Sequence, residues 1–268
     1  MDNRTLETNA RITTQQSLKK AAKLFKSLFN KYETYFQNNP LPKCSRKRQH
    51  IEQSRIIEIF TQGRLIHKRI MKENNRTSKH TTTQWLYLDH DEEHPFEHFE
   101  EQLFPISEIL LNSRKPTEPE EHAHAIFIKR HSLERIAQRL NKTELEDILS
   151  PLHPYIVGLI YFQNKFQQQI ENNKFIMLTK DAYLIITMKP DRTNSDQEPG
   201  YILTTILPKK IWSKRRIKIL SPWVNALIER SKTTAIKNIE PILILKPSQI
   251  NTENNTQINV KNTVLIFG

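Results

Sequence analysis

Residues 124–140, HAIFIKRHSLERIAQRL, hold the reading that decides the fold. The first half, HAIFIKR, is apolar and aromatic between polar ends and reads as a strand. The second half changes period. Leu133, Ile136, Ala137 and Leu140 recur at helical spacing, with Ser132 as the expected N-cap. Downstream, KFIMLTK, AYLIITMKP and YILTTILP read as strands, PYIVGLIYFQNKFQQQI and PWVNALIERSKTTAIKN as helices, and PILILKP and NTVLIFG as two late strands. TELEDILS carries the Thr143/Glu146 capping-box spacing of a short helix. The class implied is α+β, a helical N-terminal region followed by a domain with helices packed on an antiparallel sheet.

Towards the N-terminus, residues 14–37 give an amphipathic helix through Leu18, Ala21, Ala22, Phe25, Leu28, Phe29, Tyr32 and Phe36. NNPLPKCSRKR breaks it, because proline cannot continue a helix. Ile56, Ile59, Phe60, Ile66 and Ile70 predict a second helix over 45–74, weakened at Gly63. NNRTSKHTTT reads as a polar loop, QWLYLDH as a short strand or turn, and a helix is expected from Pro105. The domains expected are a basic helical region over 1–115 with an acidic, His-rich segment at 89–101, a linker over 116–124, and an α+β domain over 125–268.

The 268 residues include 4 glycines and 1 cysteine, Cys44. Neither G-x-G-x-x-G nor the P-loop pattern occurs, and a lone cysteine excludes internal disulfides and cysteine-rich zinc modules. No segment is apolar for the roughly 20 residues a membrane span needs, and the N-terminus lacks the apolar run of a secretory signal. A cytoplasmic protein is expected, or one delivered into a target cell if it is an effector. The net charge of +12 points to a polyanionic partner. It is unevenly spread. Residues 1–80 hold 18 basic and 6 acidic side chains, residues 81–124 hold 2 and 11, and the remainder 21 and 12.

His131, Arg135 and Arg139 stand four residues apart, on the helix side opposite the apolar one. His131, just before the expected N-cap, lies by the positive end of the helix dipole, which favours neutral imidazole. A base beside two arginines suits RNA cleavage: the histidine takes the ribose 2′-OH proton and the arginines stabilise charge on the phosphate. The competing reading is a solvated face. KKIWSKRRIK, residues 209–218, surrounds Trp212 with Lys209, Lys210, Lys214, Arg215, Arg216 and Lys218. Such residues neutralise phosphates while a tryptophan stacks on a base. His90, His94 and His98 lie among carboxylates, but HDEEH has Asp91 where a metalloprotease pattern needs glutamate, and Pro95 interrupts the run. No metal is expected there; an electrostatic lid over the basic surface is.

The order strand, H-x-x-x-R-x-x-x-R helix, second helix and late strands resembles the ribonuclease-toxin fold shared by barnase, EndoU, the colicin ribonucleases and RelE. The resemblance covers residues 122–216. It implies a hydroxyl from Thr204 or Thr205 beside His131, Arg135 and Arg139, with Thr187 a poorer candidate and His122 or His124 as the second acid/base group. The long helix at PYIVGLIYFQNKFQQQI departs from the compact members. The function implied is a metal-independent, toxin-like or effector-like bacterial ribonuclease without cofactor, cleaving by 2′-OH transesterification, with RNA a better partner than DNA and an inhibitory protein as a second partner. Two alternatives stand beside it: a non-enzymatic nucleic-acid-binding or regulatory protein of a bacterium or mobile element, and an effector or adaptor that binds a partner protein.

Overall fold

The computed structural model describes residues 3–38, 45–75, 78–89, 103–162, 169–189, 200–232, 241–251 and 264–267. The fold is α+β. The chain divides into two compact units: Met1–His124 with Thr143–Ser150, and Ala125–Lys142 with Pro151–Gly268.

In the first unit, helices α1 (Asn3–Asn38) and α2 (Arg46–Thr61) precede strands β1 (Leu65–Asn75), β2 (Ser78–Leu88) and β3 (Leu103–Asn112). Strand β4 (Glu120–Lys129) begins in this unit and ends in the second. The strand order here is β1-β2-β3-β4, with β1/β2 and β2/β3 antiparallel. Helix α1 buries Ala10, Thr14, Ser17, Leu18 and Ala21, an i, i+4, i+7 stripe. Helix α2 lays Ile57 and Phe60 over Trp85, Tyr87, Ile109 and Leu111.

Four expectations change here. The helix predicted over 45–74 ends at Thr61, because Gly63 takes φ +80° and turns the chain into β1. The predicted loop at 74–83 is mostly the paired part of β1 and β2. The helix predicted from Pro105 is strand β3, and β4 begins inside the expected linker. His90, His94, His98 and Cys44 lie outside the described residues.

The second unit carries helix α3 (Arg130–Leu140), helix α5 (His153–Phe162), strands β5 (Lys174–Leu178), β6 (Ala182–Lys189) and β7 (Gly200–Pro208), helix α6 (Lys214–Lys232), strand β8 (Pro241–Leu245), helix α7 (Pro247–Asn251) and strand β9 (Val264–Phe267). The short helix α4 (Leu145–Leu149) belongs to the first unit. Its N-cap is Glu144 rather than the expected Thr143, whose carbonyl instead accepts the Ser17 hydroxyl. The second unit's order is β4-β7-β6-β5-β8-β9, antiparallel except for the parallel pair β4/β7. A parallel neighbour needs a crossover connection, which α3 begins. Leu133, Ile136 and Ala137 of α3 are buried, at about 1.5 to 3 kcal/mol for each large side chain. Asn141 ends α3 in the left-handed region at φ 55°. Helix α6 packs Leu220, Trp223, Val224 and Leu227 over Ile176, Tyr183, Leu243 and Leu245. No described helix is long and apolar enough to cross a membrane.

A buried polar knot crosses the first unit's sheet. Glu108, 4% exposed, accepts from Gln84 Nε2 and lies 3.0 Å from His124 Nε2. Burial alone would raise its carboxyl, but the bonds from His124 and Gln84 outweigh burial and hold it below its ordinary value. A carboxyl lowered on folding adds stability above its unfolded value, about 4.3. That contribution is lost as pH falls through the folded value. Thermal melts of wild type and Glu108→Gln, followed by intrinsic tryptophan fluorescence, should differ most near neutral pH. The gap should close as the solution is acidified below about pH 4.

Candidate anion-binding site

Helix α3 starts at Arg130, with Lys129 as N-cap, so Ser132 lies inside the first turn instead of capping it. The reason is a better acceptor: the Ser132 hydroxyl donates to the Thr204 carbonyl of β7 at 2.6 Å. At the other end of the helix, Arg139 Nη1 donates to Thr205 Oγ1 at 2.7 Å and to the Ile206 carbonyl. Helix α3 is thus fastened to β7 at both ends, and Arg139 meets Thr205 as one of the two hydroxyls the resemblance offered.

Strand β7 carries one surplus residue at this point. Ile185 of β6 faces Thr205 while Ile186 faces Leu203, which leaves Thr204 as a bulge. The Thr204 hydroxyl donates to the Ile185 carbonyl at 2.8 Å, so both its side chain and its carbonyl are engaged in structure. Thr187 lies further along β6, opposite Ile202.

His131 projects into solvent, its side chain 68% exposed. Its Nε2 accepts from Arg135 Nε at 3.3 Å, and its Nδ1 lies 3.6 Å from Glu134 Oε2. His122 and His124, named as second acid/base candidates, belong to the first unit. There His122 stands 3.9 Å from Glu120, and His124 is committed to Glu108.

Trp212 is not a stacking platform. It is 6% exposed, its indole N–H donates to the Leu207 carbonyl at 2.9 Å, and its ring lies 6.0 Å from that of Tyr183. The basic residues around it do face outward. Lys209, Lys210, Lys214, Arg215 and Lys218 are exposed and Arg216 is half-buried, with Cζ 5.7 Å from the Tyr183 ring centroid.

Tyr183 is the member that the sequence did not single out. Register places it beside Thr205: Tyr183 faces Leu207 and Ile185 faces Thr205, so the two are diagonal neighbours on one sheet face. Arg139 therefore arrives at this face from α3 and Arg216 from α6. Burial lowers the Arg139 guanidinium, and the charges of Arg135 and Arg216 lower it further, partly offset by Tyr183. Burial raises the Tyr183 phenol, while Arg216 and Arg139 pull it back. Neither Arg139 nor Arg216 contacts a carboxylate among the described residues.

Comparison with family models, curated proteins and solved structures returns no match for this chain.

The two histidine and serine positions of α3 divide by role. Ser132→Ala should lower the urea midpoint of unfolding by the equivalent of about 1 kcal/mol, with an unchanged denaturant slope. His131→Ala, at an exposed position, should change stability by less than about 0.5 kcal/mol.

Proposed function

We propose that this chain is a nucleic-acid-binding protein whose second unit grips phosphate between Arg135, Arg139 and Arg216, with RNA the better partner. One observation carries the reading: the guanidiniums of Arg135 and Arg216 lie near a half-buried Arg139 that has no carboxylate partner among the described residues. Bringing like charges together out of water is unfavourable, and an anion bound among them offsets that cost. Arginine suits this role because its planar fork donates two parallel hydrogen bonds to phosphate oxygens. The exposed Lys209 and Lys210, in the turn before α6, and Lys214 and Arg215, in its first turn, extend the positive surface.

The test is binding of a labelled single-stranded RNA, followed by fluorescence anisotropy over a range of salt. Log affinity should fall linearly with log salt, with a slope of about 0.7 per phosphate engaged. Arg139→Gln and Arg216→Gln should each weaken binding and reduce the steepness of that slope by up to about 0.7. Salt-independent binding would turn the reading towards an adaptor for a partner protein. Absence of binding would remove it.

A second reading, metal-independent RNA cleavage, is favoured by the contacts of His131. A proton on Nδ1, facing Glu134, leaves the lone pair on Nε2, which would take a ribose 2′-OH proton once its bond from Arg135 is exchanged for the substrate. The 2′ oxygen would then bond to phosphorus, and the 5′ oxygen would leave and take a proton from water. Under this reading, wild type cuts total RNA in EDTA and leaves 2′,3′-cyclic phosphate ends, and His131→Ala does not. Intact RNA after incubation with wild type, under conditions where binding is retained, would leave His131 as a positioning or surface residue.

A further inference from the structure

The arginines on this face converge on a point and do not follow a line. Arg139 is anchored on Thr205 and Arg216 stands over Tyr183, and those two sheet residues are diagonal neighbours on one face. Two guanidiniums rooted on neighbouring residues of one sheet face are placed to share one phosphate. The floor between them is fixed. Tyr183 is 2% exposed, wedged against Trp212, and its hydroxyl has no hydrogen-bond partner among the described residues. A phenolic O–H without an acceptor, beside two guanidiniums without a carboxylate, makes a donor-rich cluster suited to an acceptor-only ligand with several oxygens.

Charge decides which phosphate. An internal phosphodiester carries one negative charge and is flanked by a sugar on each side. A terminal monoester carries about −1.5 to −2 at neutral pH, presents three acceptor oxygens, and has a sugar on one side only. Arg139 and Arg216, neither in contact with a carboxylate among the described residues, carry two positive charges that a single diester charge does not balance. The flanking lysines, by contrast, are exposed and spread along the chain from 209 to 214. That arrangement fits diester backbone.

Building on the nucleic-acid reading, we propose that Arg139, Arg216 and Tyr183 form a seat for the terminal phosphate monoester of a nucleic-acid strand. Lys209, Lys210 and Lys214 hold the diester backbone that leads away from it.

The experiment compares one RNA oligomer in three forms, with a 5′-phosphate, with a 3′-phosphate, and with hydroxyls at both ends. A nucleoside monophosphate serves as competitor. One phosphorylated form should bind wild type at least about tenfold tighter than the hydroxyl form, the size of one charge-assisted hydrogen bond. Tyr183→Phe, which keeps the ring packed on Trp212, and Arg216→Gln should each reduce that preference. Lys232→Gln, which removes a cation ion-paired to Glu229 at the end of α6, should leave it intact. Equal affinity for all three forms overturns the terminal-phosphate seat while the nucleic-acid reading stands. A monophosphate that competes as well as the phosphorylated oligomer overturns the strand end as the source, in favour of a free phosphomonoester. If no form binds, the nucleic-acid reading fails and the seat fails with it.

Discussion

Thr204 is one residue more than β7 needs to pair with β6, and the position of the site follows from that surplus. A strand's side chains alternate between faces, so one extra residue reverses the facing of every residue after it. With the bulge in place, Thr205 and Leu207 share a face with Tyr183 and Ile185, and Thr205 can receive Arg139. The bulge also frees the Thr204 carbonyl for Ser132, which holds the first turn of α3 against the strand. The disturbed ladder is repaired locally by the Thr204 hydroxyl on the Ile185 carbonyl. One irregular residue thus sets the helix's seat, the arginine's reach and the tyrosine's neighbour.

Strands of the second unit were legible because they are short, β-branched and bounded by turn residues. The first unit was less so, for two different reasons. β1 is the outermost strand of its order and carries Lys68, Arg69 and Lys72, so apolar alternation is weak and Ile66 and Ile70 continue the helical spacing of α2 by coincidence. β3 is buried on both faces through its middle, so alternation vanishes and Ile106, Ile109 and Leu110 imitate a helix. At the site, the spacing of His131, Arg135 and Arg139 was readable as one helix side. Tyr183 was not, because its nearness to Thr205 depends on cross-strand register and a bulge. Trp212 was misjudged for a related reason: a tryptophan among six basic residues reads as exposed, but the turn before α6 folds it inward onto Tyr183.

Buried Arg64 of the first unit and half-buried Arg139 of the second are satisfied in different ways. Arg64 is 3% exposed. Its guanidinium donates to the Phe60 carbonyl and lies 4.5 and 5.1 Å from the Phe60 and Tyr87 ring centroids. Aromatic faces and a carbonyl satisfy it, and cation–π attraction strengthens out of water. Arg139 also finds backbone and hydroxyl oxygens, but other cations surround it. The first arrangement is complete as it stands; the second gains from an added anion.

The burial of Trp212 gives this chain an optical property as well as a packing one. An indole held in one orientation, 6.0 Å from a phenol and tilted at 47° to it, has an emission sensitive to the electric field at that spot. Arg216 stands over the same phenol, so its charge contributes to that field. The aromatic pair that fills the core beneath α6 is therefore also a built-in chromophore, placed next to the charges that an anion would neutralise.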